Sequence, residues 1–271
     1  RSRSPRSTRS RYTRLNRDER GGTLKQLAAE LELVLARGDT RVVLDNTYAS
    51  RSSRAQVVRI AKRHGVAVRC IVMDTPLHDA QRNAAARIIA RYGRLLEPAE
   101  LLREQQVPPS AQFRFQRQLE PPEPGEGFTV EHVAFERTPE PVGAPAAIVE
   151  LDGLIWKGRP RAEVELLPGA KGLLARYRDA GYALAGTAWQ PEPFDPAIDA
   201  ALRAELGFAF PIARCPHPAG PPVCWCRKPL PGLALLLAHA HGFALAHSIH
   251  VGRGAADRGF ASRAGLTFVE A

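Results

Sequence analysis

Two runs of alternating strand and helix, parted by a proline-rich break, predict an α/β protein of two parallel-sheet domains. Three observations carry that reading. Short apolar strands precede amphipathic helices in each half, a Pro–Glu–Gly segment lies between the halves, and a Cys/His loop sits inside the second run. A chain of 271 residues with 44% hydrophobic content has material for two cores. No apolar run approaches the roughly 20 residues that span a bilayer, and no signal-peptide pattern opens the chain. It is therefore read as soluble and cytoplasmic, with no membrane partner. The chain begins at Arg1 and its only methionine is Met73, which predicts that the initiator is missing.

In the first half, Leu24, Leu27, Leu31, Val34 and Leu35 follow helical spacing, closed by Gly38. Arg41 to Asn46 is a short apolar strand. Ser50 caps a helix over 51–64 that stops at Gly65, and Val66 to Asp74 is a second strand. Strand–helix–strand at this length is a parallel crossover. A helix over 77–92 and a short one near 98–106 follow. Between Pro108 and Pro145 the composition shifts, and Glu120-Pro-Pro-Glu-Pro-Gly-Glu-Gly127 predicts no regular element. Phe128 to Arg137 fits either a strand of the first domain or a structured linker. In the second half, strands are predicted at 146–151, 182–187, 248–251 and from Phe268, with helices over 169–180 and 231–241. The predicted divisions are a basic arm at 1–14, a first domain at 15–107, a linker or extension at 108–145, and a second domain at 146–271.

The net charge of +10 is concentrated at the start, where eight arginines meet only Asp18 and Glu19 within twenty residues. Such an arm attracts polyanions with an affinity that falls as salt rises, or is simply a solvated tail. No aromatic alternates with the arginines to stack bases. Cys70 sits in an apolar run and reads as a buried core thiol. The other cysteines crowd with a histidine: Cys215-Pro-His217, then Cys224-Trp-Cys226. Three thiolates and one imidazole make a soft tetrahedral set that suits structural zinc. Prolines at 216, 218, 221 and 222 stiffen a loop with few apolar residues, so the metal is predicted to organise it.

Around that loop stand Glu150-Leu-Asp152-Gly153, Thr187 in Gly-Thr-Ala-Trp-Gln, Lys228 in Cys-Arg-Lys-Pro, and Val251-Gly-Arg253-Gly-Ala-Ala-Asp257. In that order the pieces resemble the haloacid dehalogenase superfamily over residues 146–271, and within it the zinc-loop phosphatases of histidinol phosphate and heptose bisphosphate. The resemblance implies a Rossmannoid domain and a phosphomonoester hydrolase. Asp152 matches the proton-transferring acid, Thr187 and Lys228 the phosphate-binding groups, and Asp257 a magnesium ligand. Two positions depart from the pattern. Glu150 stands at the nucleophile, one methylene too long, and Arg253 brings a cation where the first magnesium aspartate belongs. The linked reading is that Arg253 fills the metal's place and pairs with Glu150, leaving a folded centre of weak or lost activity.

The stretch Leu15-Asn-Arg-Asp18-Glu19, then Val42 to Thr47, Arg51, Arg54 and Val68-Arg-Cys70, is similar to the P-loop kinase domain of polynucleotide kinase–phosphatases. That family implies a 5′-hydroxyl kinase joined to a 3′-phosphatase, with RNA or DNA ends as partners. Asp18 would take the proton of the attacking hydroxyl, and Arg82 and Arg87 would be lid arginines on the transferred phosphate. Asp45 would instead position the strand end. No Gly-x-x-x-x-Gly-Lys-Ser/Thr occurs, so the domain is incomplete and the chain is not expected to bind ATP well. Two other readings stay open. One is a zinc-loop phosphatase acting on a small sugar phosphate or histidinol phosphate. The other is a non-catalytic nucleic-acid-binding scaffold.

Overall fold

The computed structural model describes residues 12–137, 142–157, 164–191, 195, 197–220 and 223–271. The arginine-rich arm up to Arg11 therefore lies outside the described residues, and so do Pro221 and Pro222. The chain forms two compact units, each drawn from two stretches of sequence. One runs to Asp74 and takes in Phe115–Phe135; the other joins Thr75–Arg114 to Glu136–Ala271. Among the described residues, no helix is long and apolar enough to cross a membrane.

In the first unit, β1 (Thr13–Leu15) pairs in parallel with β2 (Val42–Leu44), Leu15 opposite Leu44. β1 begins inside the stretch expected to be arm. Asn16 caps the single turn of α1 (Arg17–Arg20), accepting from the Asp18 and Glu19 amides. α2 (Leu24–Ala36) starts on a Thr23–Gln26 capping box, and its Leu27, Ala28, Leu31 and Leu35 form one buried stripe. That stripe meets Leu15 and Ile60, the latter on α3 (Arg51–Arg63). β3 (Arg69–Asp74) pairs in parallel with β4 (Thr129–Ala134), so Phe128 to Arg137 contributes a strand to the first unit. Ile71 and Met73 stay exposed on β3, and Cys70, expected in the core, is only half-buried. A two-stranded ribbon has too little sheet to cover both of its faces.

Of the segment expected to be a linker or extension, the proline-rich stretch ahead of β4 belongs to this unit. Its one regular piece is a 3₁₀ turn at Pro124–Glu126. Arg54 donates to both carboxylate oxygens of Glu126, at 2.8 and 2.7 Å, and both side chains are 5% exposed. The third guanidinium nitrogen, Nη1, reaches the carbonyl of Tyr48 at 3.0 Å. The paired charges hold Arg54 above and Glu126 below their ordinary ranges, each through the bond to the other.

The second unit opens with α4 (Leu77–Tyr92), α5 (Pro98–Arg103) and the start of α6 (Pro109–Gln118), within which the division falls. β5 (Ala146–Glu150), α7 (Ala170–Asp179), β6 (Ala183–Trp189), α8 (Ala197–Leu206), β7 (Ile212–Cys215), α9 (Gly232–His241), β8 (Ile249–Gly252), α10 (Gly254–Ala264) and β9 (Thr267–Glu270) follow. All five strands are parallel, in the order β7–β6–β5–β8–β9. β5 is buried on both faces, so its residues are apolar without alternation. Ala147 and Val149 face Leu174 of α7 and Ile198 and Leu202 of α8. Ala146 and Ile148 belong to the opposite layer, with α9, α10 and the Ala84, Ala85, Ile88, Ile89 stripe of α4. The helix over 77–92, expected in the first domain, thus packs on α9 and α10 of the second unit. Its periodicity defines a buried face but not the surface that covers it.

Removing the guanidinium in Arg54→Ala leaves a shielded carboxylate without its counter-charge. The expected loss is about 2–3 kcal/mol, read as a lower urea midpoint at unchanged slope. A loss below about 0.5 kcal/mol, the scale of ordinary surface changes, would show that the pair does not hold this segment.

Candidate functional site

In a parallel sheet of this order β5 has β6, the next strand, on one side and β8, reached only after β7, on the other. The crevice at their carboxyl ends is where such sheets bind ligands. Glu150 ends β5, and Thr187 lies opposite it in register on β6. His250 faces Ile148 across the β5–β8 pair, and Asp257 is in the first turn of α10. Gly252 lets that turn close on the strand, since a Cβ there would stand 2.7 Å from the Asp257 side chain. A cavity of about 580 Å³ opens here, lined among others by Glu150, Asp152, Trp189, Lys228, Arg253 and Asp257. A larger hollow of about 650 Å³ beside α8 contains Asp199, Arg203 and Phe208 but none of these groups.

Lys228 is the centre of the charge set. Its ammonium bonds the Glu150 carboxylate, reaches Asp257 Oδ1 at 2.8 Å and lies 3.3 Å from His250 Nε2. His250 Nδ1 is 2.8 Å from the Ile148 carbonyl, which can only accept, so Nδ1 carries the proton and Nε2 offers a lone pair. Burial pushes the imidazole below its ordinary value, consistent with that neutral tautomer. The three ammonium protons thus have three acceptors. Thr187 Oγ1 donates to the same Glu150 oxygen at 3.1 Å. Burial drives the Glu150 carboxyl up to about 7, although Lys228 opposes it. Burial acts on Asp257 in the same direction, but Lys228 and the Arg253 amide at 2.7 Å together hold it well below the carboxylate range.

Asp152 lies two residues past Glu150 and accepts from Trp156 Nε1 at 2.8 Å and from the Trp189 amide at 2.7 Å. Arg253 is exposed. Its guanidinium donates to the Gly153 carbonyl at 3.1 Å and the Ala271 carbonyl at 3.3 Å. The pairing of Arg253 with Glu150 is therefore corrected: the cation on Glu150 is Lys228. Arg253 starts α10 from the surface, and its side chain runs along the rim of the cavity.

The structure brings Glu150, Asp152, Thr187, Lys228 and Asp257 together, as their order in the chain suggested. Sequence reasoning passed over His250, Trp156 and Trp189. His250 had a signal, being the one polar side chain in the buried strand Ile-His-Val-Gly. Asp18 is exposed on α1 in the first unit. Arg14 holds the neighbouring Asp45 carboxyl below its usual range and fixes the end of β2. Arg82 and Arg87 belong to the second unit. Arg82 is buried on the inward stripe of α4 and donates to the Ala264 carbonyl that ends α10, which corrects its reading as a lid arginine. Arg87 is exposed on the same helix.

Cys215, His217, Cys224 and Cys226 form a second constellation at the end of β7, their donor atoms all within 4.8 Å of one another. Tetrahedral bonds of about 2.3 Å to sulfur and 2.0 Å to nitrogen place sulfurs about 3.8 Å apart and sulfur from nitrogen about 3.5 Å. Cys215 and Cys224 sulfurs are 3.8 Å apart, and His217 Nδ1 lies 3.7 Å from Cys215 Sγ and 3.2 Å from Cys226 Sγ. The donors can hold one metal ion. Without a cation the thiols compete for one charge: bonds from Cys224 and Cys226 push Cys215 down, while Cys215 pushes Cys224 up to about 11. The loop is not short of apolar anchorage, because Trp225 between the last two cysteines is fully buried.

Residues 2–107 match the family model of an AAA domain, so the N-terminal region carries an AAA-type, P-loop kinase-like domain. Solved structures similar to this chain include the D,D-heptose 1,7-bisphosphate phosphatase from B. bronchiseptica, complexed with magnesium and phosphate. It is 26% identical over 46% of this chain and 78% of that one, with a TM-score of 0.39. The Pnkp1/Rnl/Hen1 RNA repair complex is 14% identical over 97% of this chain and 88% of that one, with a TM-score of 0.36.

Purified protein should carry about one transition-metal ion per chain by elemental analysis, as a closed four-ligand set requires. Cys224→Ser should lose it and melt at a lower temperature. Equal metal content in the variant would exclude the cluster as its site.

Proposed function

We propose that this chain is a nucleic-acid end-processing protein of the polynucleotide kinase–phosphatase kind, with zinc in the cysteine loop. Its phosphatase centre is built on Glu150, Asp152, Thr187 and Lys228. The observation that carries the proposal is the convergence of Glu150, Asp152 and Lys228 on one cavity at the carboxyl end of β5, with the buried Thr187 bonded to Glu150 from β6. The AAA domain at residues 2–107 supports the joining of a kinase-like part to that centre. Eight arginines in the first twenty residues suit a polyanionic substrate such as an RNA or DNA end.

In this reading Thr187 and Lys228 meet the phosphoryl oxygens, Glu150 is the nucleophile, and Asp152 is the group for proton transfer to the leaving oxygen. Zinc would be held by Cys215, His217, Cys224 and Cys226, and would supply folding energy rather than a step. The residues present do not fit magnesium. Both Asp257 oxygens and both Asp152 oxygens already accept hydrogen bonds, Lys228 lies among the carboxylates, and Arg253 replaces an acid. Turnover is slow because the longer Glu150 displaces the attacking oxygen. A misplacement of about 1 Å costs roughly a hundredfold.

A 3′-phosphorylated oligonucleotide, histidinol phosphate and a sugar phosphate compared side by side test the substrate class. Slow phosphate release from the oligonucleotide alone is expected, with no gain from magnesium. The double variant Glu150→Asp with Arg253→Asp should gain magnesium-dependent activity, by about a hundredfold. Wild type matching the double variant in magnesium would refute the altered centre. Activity on none of them, with salt-sensitive oligonucleotide binding, would leave the scaffold reading.

The nucleophile must be ionised, so release should rise with pH through a midpoint of about 7. Stability moves the other way. The folded state keeps a proton on Glu150 that the unfolded chain gives up near 4.5, so this group's contribution declines as pH rises from about 4.5 to 7. A rate that is flat between pH 5 and 8 would remove Glu150 from the nucleophile's place.

A further inference from the structure

The cysteine cluster has a neighbour from the far side of the sequence. His217 turns Nδ1 toward the Cys226 and Cys215 sulfurs, while its Nε2 lies 2.7 Å from Glu97 Oε2. A neutral imidazole carries one N–H. If Nδ1 gives its lone pair to a metal, the proton is on Nε2 and its only direction is the Glu97 carboxylate. An acceptor in that position fixes the tautomer and ring plane, and makes the ligating nitrogen more basic.

Glu97 immediately precedes α5, and the stretch around it grips the loop at two further points. Trp225 Nε1 donates to the Val107 carbonyl at 3.1 Å. Leu95 sits so close to the turn after the loop that a Cβ on Gly232 would stand 2.9 Å from it. The stretch also holds itself in place through a capping box between Glu97 and Glu100 at the start of α5. The Glu97 amide donates to Glu100 Oε2 at 2.9 Å, and Arg94 clamps the Glu100 carboxylate with two bonds of 2.7 Å.

We propose that Glu97 is the positioning residue for the metal at His217, so that residues 95–107 form part of the metal centre. This rests on the zinc reading above. A bare surface pair would contribute little, since the Glu97 carboxylate is 57% exposed. What gives it leverage is the metal, because any rotation of the imidazole misaligns a metal bond. Loss of the ion should therefore loosen residues 95–107 along with the cysteine loop. A second domain cut at residue 146 would lack this partner altogether.

The test uses the full chain loaded with zinc, as wild type, Glu97→Ala and Glu97→Gln. Zinc affinity is measured by chelator competition, and melting temperature with the metal and after chelation. Glu97→Ala is expected to bind zinc about 10- to 100-fold more weakly, with Glu97→Gln in between. The melting temperature should fall further in the loaded form than after chelation, where only the helix cap is lost. Affinity within about twofold of wild type, or an equal fall in melting temperature with and without metal, would overturn the proposal. The second outcome would make Glu97 a helix-start residue and nothing more. Wild type that takes up no zinc overturns the zinc reading itself. That failure is recognised separately, because the variants are compared with a loaded parent.

Discussion

Two buried carboxylates, Glu150 and Asp257, share one ammonium, and the site takes its form from that shortage of positive charge. Lys228 meets both of them and His250 from a loop, while its three acceptors come from β5, β8 and α10. Each of those elements would carry an uncompensated polar group without it, which is the costly arrangement in a protein interior. Burial answers part of the shortage by pushing the Glu150 carboxyl up, against the pull of Lys228. His250 contributes a lone pair rather than a charge, and its proton is held by the Ile148 carbonyl. The ring also packs edge-on against Phe260, 4.7 Å between centroids, and Phe260 lies 5.0 Å from the Lys228 ammonium. The charge centre is therefore walled by aromatic surface on its inner side and open to the cavity on the other.

Lys228 follows the cysteine loop by two residues, which ties the charge centre to the metal-type cluster. The loop is anchored at both ends by different means. Trp225 is buried in the layer of α4 and α9, and the four donors converge at the end of β7. Trp189 bridges the two constellations. Its amide bonds Asp152, its indole N–H reaches the His217 carbonyl at 2.7 Å, and Arg227 stacks on its ring at 4.0 Å. A displacement of the loop would be felt at Asp152 as well as at Lys228.

The family match running to residue 107 and the compact units tell different stories about residues 75–107. By sequence they continue the kinase-like half. By packing, α4 contributes Ala84, Ala85, Ile88 and Ile89 to the second unit's core, and Glu97 contributes an acceptor to its His217. In the opposite direction, residues 115–135 return to the first unit through β4, pinned by Glu126 on Arg54. Both exchanges run through long-range contacts that no local signal in the chain announces.

Local periodicity and residue chemistry by themselves determined the α/β class, the strands at 42–44, 69–74, 146–150 and 249–252, and the crowding of Cys215, His217, Cys224 and Cys226. The grouping of Glu150, Asp152, Thr187, Lys228 and Asp257 came instead from the order of motifs that resembles the haloacid dehalogenase superfamily. Only the tertiary structure decided which cation answers Glu150, since Lys228 and Arg253 both carry a positive charge at neutral pH and differ in what surrounds them. It also decided that Arg82 faces inward, that Cys70 is half-buried, and that α4 leaves its sequence neighbours. The reason is common to all of these. A periodic pattern states which face of an element must be covered, whereas the partner that covers it is set by competition among every apolar face and every charge in the folded chain.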